Sequence, residues 1–184
     1  MNISSDDVGL LLKALHFSAK KHSNQRRKGQ DAAPYINHPI QVAEILWQIG
    51  GIHDMIVIIA ALLHDTLEDT DATPEEIKHL FGEAVLNLVL EVTDNKTLPK
   101  MERKRLQVQN TPHKSTRAKQ IKLADKICNI NDIIHSPPQS WSPQRQQEYI
   151  AWTQQVIAGS RGTNAALENY YDECVMAFHR STKI

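Results

Sequence analysis

His64-Asp65-Thr66-Leu67-Glu68-Asp69 places four ionisable side chains within six positions, directly after the apolar run Met55 to Leu63. If the helix predicted by that run continues through them, His64 stands one turn from Glu68 and Asp65 one turn from Asp69. The four groups then converge where an otherwise apolar segment leaves the core. Unpaired buried charge is costly, and a divalent cation neutralises it directly. The alternative is a solvated acidic helix end, which the negative end of the helix dipole disfavours.

Two further clusters bear on the choice. In Ile121-Lys122-Leu123-Ala124-Asp125-Lys126-Ile127-Cys128-Asn129, Asp125 shares a helical stripe with Ile121 and Cys128, and Asn129 follows one turn later. Taken alone, Asp125 reads as a salt-bridged carboxylate with a partner such as Lys122. His38, at the expected start of another helix, reads alone as a local hydrogen-bonding residue. Together, two imidazoles and carboxylates from three helices form a nitrogen–oxygen donor set without thiolate. That set suits manganese, iron or another borderline divalent ion with open positions, not a closed structural zinc site. The other histidines, His16, His22, His53, His79, His113, His135 and His179, lack a matching acidic companion and read as surface or packing residues.

Arg26-Arg27-Lys28 stands shortly before His38, where it could neutralise phosphate oxygens beside a metal. Lys96 and Lys100 flank the acidic region. Lys100-Arg103-Lys104-Arg105 reads as a solvated basic face. The chain has no P-loop, no dinucleotide glycine fingerprint and no serine nucleophile elbow.

The elements that must position these groups are helical. Ser5 is placed to cap a first helix reaching His22, and Asn37 to cap a second through Ile49, stopped by Gly50-Gly51. The third, from about Asp54 to Leu67, is apolar on every side and so belongs at the centre. Thr73 and Glu76 have capping-box spacing. Gly82 ends that helix, and a further one carries Val85, Leu88, Val89 and Val92. An exposed basic helix spans Lys100 to Val108. A long one follows from about Ser115 to Ile134, then one opened by Ser142-Pro143, and a last one capped by Thr163. The expectation is all-α, a single domain over 1–184 with roughly eight to ten helices.

Composition sets the outer bounds. The 184 residues are 41% hydrophobic and 23% charged, as in a globular chain with a core. Twenty-one basic side chains balance 21 acidic ones, so net charge gives no general attraction to nucleic acid or an anionic membrane. The N-terminus lacks a signal-peptide pattern, and Met55–Leu63 is too short to span a bilayer. Two lone cysteines, Cys128 and Cys174, fit a reducing compartment, and the expected location is the cytoplasm.

Certain words of the sequence are more specific than the spacing. Pro34-Tyr35-Ile36-Asn37-His38-Pro39, Ala61-Leu62-Leu63-His64-Asp65-Thr66-Leu67-Glu68-Asp69-Thr70, Val92-Thr93-Asp94-Asn95-Lys96 and Lys122-Leu123-Ala124-Asp125-Lys126, preceded by Gln25-Arg26-Arg27-Lys28, resemble the HD hydrolase domain of the RelA/SpoT alarmone family. Within it the chain is most similar to the small stand-alone hydrolases of metazoan SpoT homologue type, from about His16 to Glu168. The resemblance implies that His38, His64, Asp65 and Asp125 hold one manganese ion and that Glu68 and Asp69 are the catalytic acids. It also implies that Arg27 and Lys28 lie at the nucleotide, with Asn129 and Tyr149 near it. The implied activity removes the 3′-diphosphate of (p)ppGpp to give pyrophosphate with GDP or GTP. The rivals are an HD phosphatase acting on a ribose-phosphate mononucleotide or NADPH, and a non-catalytic alarmone-binding module. The preference between ppGpp and pppGpp and the oligomeric state are left open by these residues.

Overall fold

A computed structural model describes residues 4–182. Among them lie nine α-helices of eight residues or more, one single α-turn and one short 3-10 turn, and no strand. An isolated bridge between Arg26 and Pro34 is the one extended pairing among the described residues.

α3 (Met55–Leu63) is the central rod. Asp54 caps it by accepting from Ile56 N–H at 3.0 Å, and every residue from Val57 to Leu63 is buried. With no polar face, this segment is stable only when surrounded. α1 (Ser5–Lys21), α2 (Asn37–Gln48) and α6 (Glu83–Val92) pack against it, and α8 (Thr116–His135) closes over α2 and α6. α10 (Ala165–Ser181) covers the other side of α8, burying Tyr171, Val175 and Phe178.

α3 stops earlier than its apolar pattern suggests. The expected helix to Leu67 ends at Leu63; His64 and Asp65 form a turn, and α4 (Thr66–Asp69) resumes for a single turn. Side chains have taken carbonyls at the break: His64 Nδ1 bonds Ala61 O at 2.7 Å, and Thr66 Oγ1 donates to Leu63 O at 2.7 Å. Such local bonds compete with the helical ladder. The break turns Asp65 and His64 toward α2 and α8 and leaves Glu68 and Asp69 on the next turn.

Several boundaries are set by caps. Thr73 and Glu76 form the expected capping box at the start of α5 (Pro74–Phe81), which Gly82 ends with φ +88°. Ser115 and Ser142 cap α8 and α9 (Pro143–Ala158). Three expected caps move. Ser4, not Ser5, caps α1 through a box with Asp7; Asn164, not Thr163, caps α10 by accepting from Leu167 N–H; Asn37 is the first residue of α2 and not its cap. In the first two cases a neighbouring side chain reaches the open N–H groups, while at α2 no side chain does.

The loop carrying Arg26-Arg27-Lys28 is fastened to the end of α8. A Cβ on Gly29 would stand 2.5 Å from the Ser136 carbonyl oxygen, so only glycine lets the loop lie this close. α7 (Lys100–Asn110) buries no residue and rests on α9 and the 3-10 turn Thr111–His113. Among the described residues, no helix is long and apolar enough to cross a membrane.

Candidate active site

A cavity of about 990 Å³ opens between the 25–29 loop, the α3–α4 turn, α7, α8 and α9. All ten residues singled out from the sequence line it: Arg27, Lys28, His38, His64, Asp65, Glu68, Asp69, Asp125, Asn129 and Tyr149.

At its floor, α2, the α3–α4 turn and α8 bring four donor atoms together. His38 Nε2 stands 3.2 Å from Asp125 Oδ1 and 3.7 Å from Asp65 Oδ2. His64 Nε2 stands 3.1 Å from Asp65 Oδ2 and 4.0 Å from Asp125 Oδ1. His38, His64 and Asp65 meet the spacing for a shared ion as a group, and the two distances from Asp125 bring its carboxylate to the same point. His64 Nε2 is buried without a hydrogen-bond partner, while Nδ1 is engaged by the Ala61 carbonyl. A carbonyl can only accept, so Nδ1 carries a hydrogen in either charge state. Against burial, Asp65 and Asp125 raise the ring's pKa to about 9, and once a cation displaces the second proton Nε2 presents a lone pair. An orphaned lone pair beside two carboxylates fits a cation. Around these groups burial opposes charge, yet Lys126 and the two imidazoles hold Asp125 well below the usual carboxylate range, and His64 with His38 does the same for Asp65.

Asp125 is clamped from two sides. Lys126 Nζ donates to Oδ2 at 2.8 Å, and Asn129 Nδ2 donates to Oδ1 at 2.6 Å. Lys122, the partner expected from sequence, instead donates to the Val92 carbonyl at 3.2 Å in the last turn of α6. That carbonyl lies at a helix end, where it has no partner within its own helix.

Glu68 and Asp69 do not stack with His64 and Asp65 as a continuous helix would have them. Glu68 accepts from the Asp94 N–H at 3.1 Å and from Arg103 Nη1 at 3.2 Å. Burial, and then the Asp94 carboxylate, raise its proton affinity. Asp69 pairs with Lys96 and lies 3.5 Å from the Tyr35 hydroxyl, which donates to Asp65 Oδ2 at 2.6 Å. The motif therefore divides into a pair that joins the candidate metal group and a separate pair of carboxylates, with Tyr35 between them.

Arg27 spends its fork on protein partners: Nε donates to Asp132 Oδ2 at 2.8 Å and Nη2 to Asn129 Oδ1 at 2.8 Å. Lys28 and Arg26 line the cavity beside it, Arg26 with its Nη1 bonded to the Ser23 and Gln25 carbonyls. The α7 cations correct the reading of a solvated face. Lys100, Arg103 and Lys104 line the cavity; only Arg105 turns away, paired with Glu102 on the exposed side. A helix resting on α9 across the cavity mouth offers one face to each side, which charge composition alone does not reveal.

One wall of the cavity is aromatic, and it adjoins the His/Asp group, since Lys126, bonded to Asp125, also stands 5.0 Å over Trp152. Tyr149 lies 5.3 Å from Trp141 and 5.4 Å from Trp152, ring centre to ring centre. Lys104 stands 4.4 Å over Trp152, and Arg145 4.7 Å over Trp141. Burial pushes Tyr149 up to about 12, so it stays neutral. Trp141 and Trp152 escaped the sequence reading, although two of the chain's three tryptophans so close to Tyr149 are a signal. Tyr35, Asp132 and Lys126 were also missed. His22, expected as a surface or packing residue, takes the packing role: it is buried, stacked on Tyr35 at 4.7 Å and bonded to Gln25 at 2.7 Å, behind the site.

Comparison with known proteins gives a consistent picture. The HD domain family matches residues 14–158. A guanosine-3′,5′-bis(diphosphate) 3′-pyrophosphohydrolase MESH1 of Xenopus tropicalis is 55% identical over 172 residues, 94% of this chain and 96% of that protein. The Homo sapiens protein of the same name is 56% identical over 162 residues, 88% of this chain and 90% of its own. A solved structure described as a metazoan ortholog of SpoT that hydrolyses ppGpp superimposes with a TM-score of 0.90 at 43% identity, covering 100% of this chain and 99% of the other.

Proposed function

The chain belongs to the HD-domain family, in its MESH1 branch, and from that premise we propose that it is a guanosine-3′,5′-bis(diphosphate) 3′-pyrophosphohydrolase. It cleaves between the ribose 3′ oxygen and its diphosphate, releasing pyrophosphate with GDP or GTP. The observation that carries this reading is one cavity holding a metal-capable His/Asp set, a separate acid pair and a wall of cations and aromatic rings.

His38, His64, Asp65 and Asp125 would hold one manganese ion; their oxygen and imidazole donors, without thiolate, suit it. When bound, the ion supplies Lewis-acid chemistry, making water a stronger nucleophile and polarising the phosphoryl group. Glu68 and Asp69 orient the attacking water and carry a proton to the leaving 3′ oxygen. The raised proton affinity of Glu68, caused by burial and by Asp94, favours that task. Lys28, Lys100 and Lys104 offset phosphate charge, with Arg27 beside them, while Tyr149 and the two tryptophans offer faces on which a base stacks. Asn129 lines the same space from α8. We place the chain in the cytoplasm, because Cys128 and Cys174 are both free and buried.

The test is product analysis with manganese-loaded protein and a panel of ppGpp, pppGpp, NADPH and nucleoside monophosphates. Pyrophosphate in equal amount with GDP from ppGpp is expected. Orthophosphate alone, or a preference for the phosphate monoesters with ppGpp barely touched, overturns the assignment and leaves only the HD phosphohydrolase.

A further inference from the structure

His38 and His64 face the same point with Nε2, but the groups behind their rings differ in kind. Behind His64 stands a backbone carbonyl, an obligate acceptor, so the hydrogen must sit on Nδ1. Behind His38 stands Cys128 Sγ, 3.1 Å from Nδ1. A thiol both donates and accepts, so it does not by itself decide which ring nitrogen carries the hydrogen. A second contact decides it: Cys128 Sγ donates to Gln41 Oε1 at 3.2 Å. With the S–H spent on an amide oxygen, the sulfur turns a lone pair to His38. Nδ1 then has to be the donor, and Nε2 keeps the lone pair that faces Asp125 and Asp65.

The opposite arrangement has a definite cost. If the thiol donated to Nδ1, the hydrogen would sit on Nε2 and point at Asp125 Oδ1, 3.2 Å away. His38 would then be a hydrogen-bond donor to a carboxylate and no ligand at all. The ring has little room to escape this choice by turning. It is 2% exposed, packed edge-on between Tyr35 at 5.8 Å and His64 at 5.2 Å. Metal-bound histidines are generally set in this way by the partner of the other nitrogen, and losing that partner typically costs about ten- to a hundredfold in affinity or activity.

We infer that Cys128 is a positioning residue, which through the chain Gln41–Cys128–His38 fixes the His38 tautomer that binds the metal. The thiol therefore works as a hydrogen-bond relay, and neither as a ligand nor as a nucleophile. It is 2% exposed, and burial raises its proton affinity far above the usual thiol range. The inference rests on the reading of His38 as a metal ligand.

The experiment is a manganese titration of the metal-free full-length chain, read by electron paramagnetic resonance, for the wild type and for His38→Ala, Cys128→Ala and Cys128→Ser. Ring-nitrogen chemical shifts of isotope-labelled histidine in the same metal-free proteins report the tautomer. Cys128→Ala is expected to weaken manganese binding by at least about tenfold and to shift His38 away from the Nδ1-protonated form. Cys128→Ser, whose hydroxyl also donates once and accepts, should bind within about threefold of wild type. Loss of binding in His38→Ala with unchanged binding and tautomer in Cys128→Ala overturns the relay alone. Unchanged binding in His38→Ala overturns the ligand reading beneath it. If Cys128→Ser weakens binding as much as Cys128→Ala, the relay also falls, because the thiol is then needed for its volume.

Discussion

Arg103 Nη1 donates to Glu68 Oε1 at 3.2 Å, and this bond ties a carboxylate lining the cavity to α7, a helix with no buried residue of its own. Both side chains are largely screened from solvent, at 25% and 16% exposure, so the pair is stronger than a surface ion pair. Arg103 also leaves Nε buried and without a partner, a cost accepted where the guanidinium is held for a task. Removing it frees Glu68 and loosens the cavity mouth. Arg103→Ala should lower kcat by about tenfold or more, in line with about 1.5–3 kcal/mol for a charge-assisted bond, and Arg103→Lys should recover part of it. Steady-state kinetics on ppGpp decide it; an unchanged kcat shows that the bond is idle.

Chelation should abolish turnover and manganese should restore it, since the four donor atoms face one another across 3.1–4.0 Å and Lys126 offsets only one of the two carboxylates. Full activity in exhaustively chelated protein excludes the metal.

The acid pair separates chemistry from binding. Glu68 and Asp69 are held by Asp94, Arg103 and Lys96, away from the His38 and His64 nitrogens. Glu68→Gln and Asp69→Asn should therefore lose most turnover while keeping the metal. A variant that loses manganese in the same titration is a ligand variant, and its residue then belongs with Asp65.

Much of this arrangement was legible in the sequence because it depends on short-range pattern. Thr73 with Glu76, Gly82, and Ser142 before Pro143 announce helix ends through local chemistry. The His64-Asp65 word marks a candidate metal group because charge beside such an apolar run needs a partner, whereas Asp125 alone reads as a salt-bridged carboxylate and joins that group only when the clusters are taken together. What escaped depends on three-dimensional placement. Lys122 and Lys126 differ by one helical turn, and only the packing of α8 against α6 decides which of them meets Asp125. Likewise the basic residues of α7 face inward because α9 carries that helix across the cavity, a relation between elements far apart in the chain. The break after Leu63 was hidden because an unbroken apolar run gives no sign that Thr66 will take the Leu63 carbonyl.

His22 supports the site from behind, and it should make the fold sensitive to mild acid. Burial lowers its proton affinity below the ordinary histidine value. The unfolded chain, with a histidine pKa of about 6.5, then binds more protons than the folded one, so stability is retained above that value and lost as pH falls through it. His22→Phe keeps an aromatic ring against Tyr35 and removes the titration. Thermal melts at pH values on both sides of about 6.5 should show the wild type losing stability relative to the variant on acidification. Parallel losses in the two proteins would assign the acid sensitivity to other groups.

Arg27 poses the last question, because its guanidinium lines the cavity yet is bonded to Asp132 and Asn129. Two routes lead from it to catalysis, and they differ in substrate dependence. If its charge acts on the substrate, a 3′-diphosphate should feel the loss more than a single phosphate. If it acts by holding Asn129, which donates to Asp125 at 2.6 Å, every substrate of the site should suffer alike. Charge-assisted contacts are worth roughly 1.5–3 kcal/mol, about ten- to a hundredfold. Arg27→Ala should therefore reduce kcat/KM on ppGpp by at least about tenfold, with a smaller loss on a nucleoside monophosphate. Asp132→Asn supplies the control: it weakens the anchor of Arg27 while leaving its charge in place, so the discrimination between the two substrates should survive. Equal losses on both substrates in Arg27→Ala, accompanied by weaker manganese binding, would move Arg27 from the substrate to the support of Asp125.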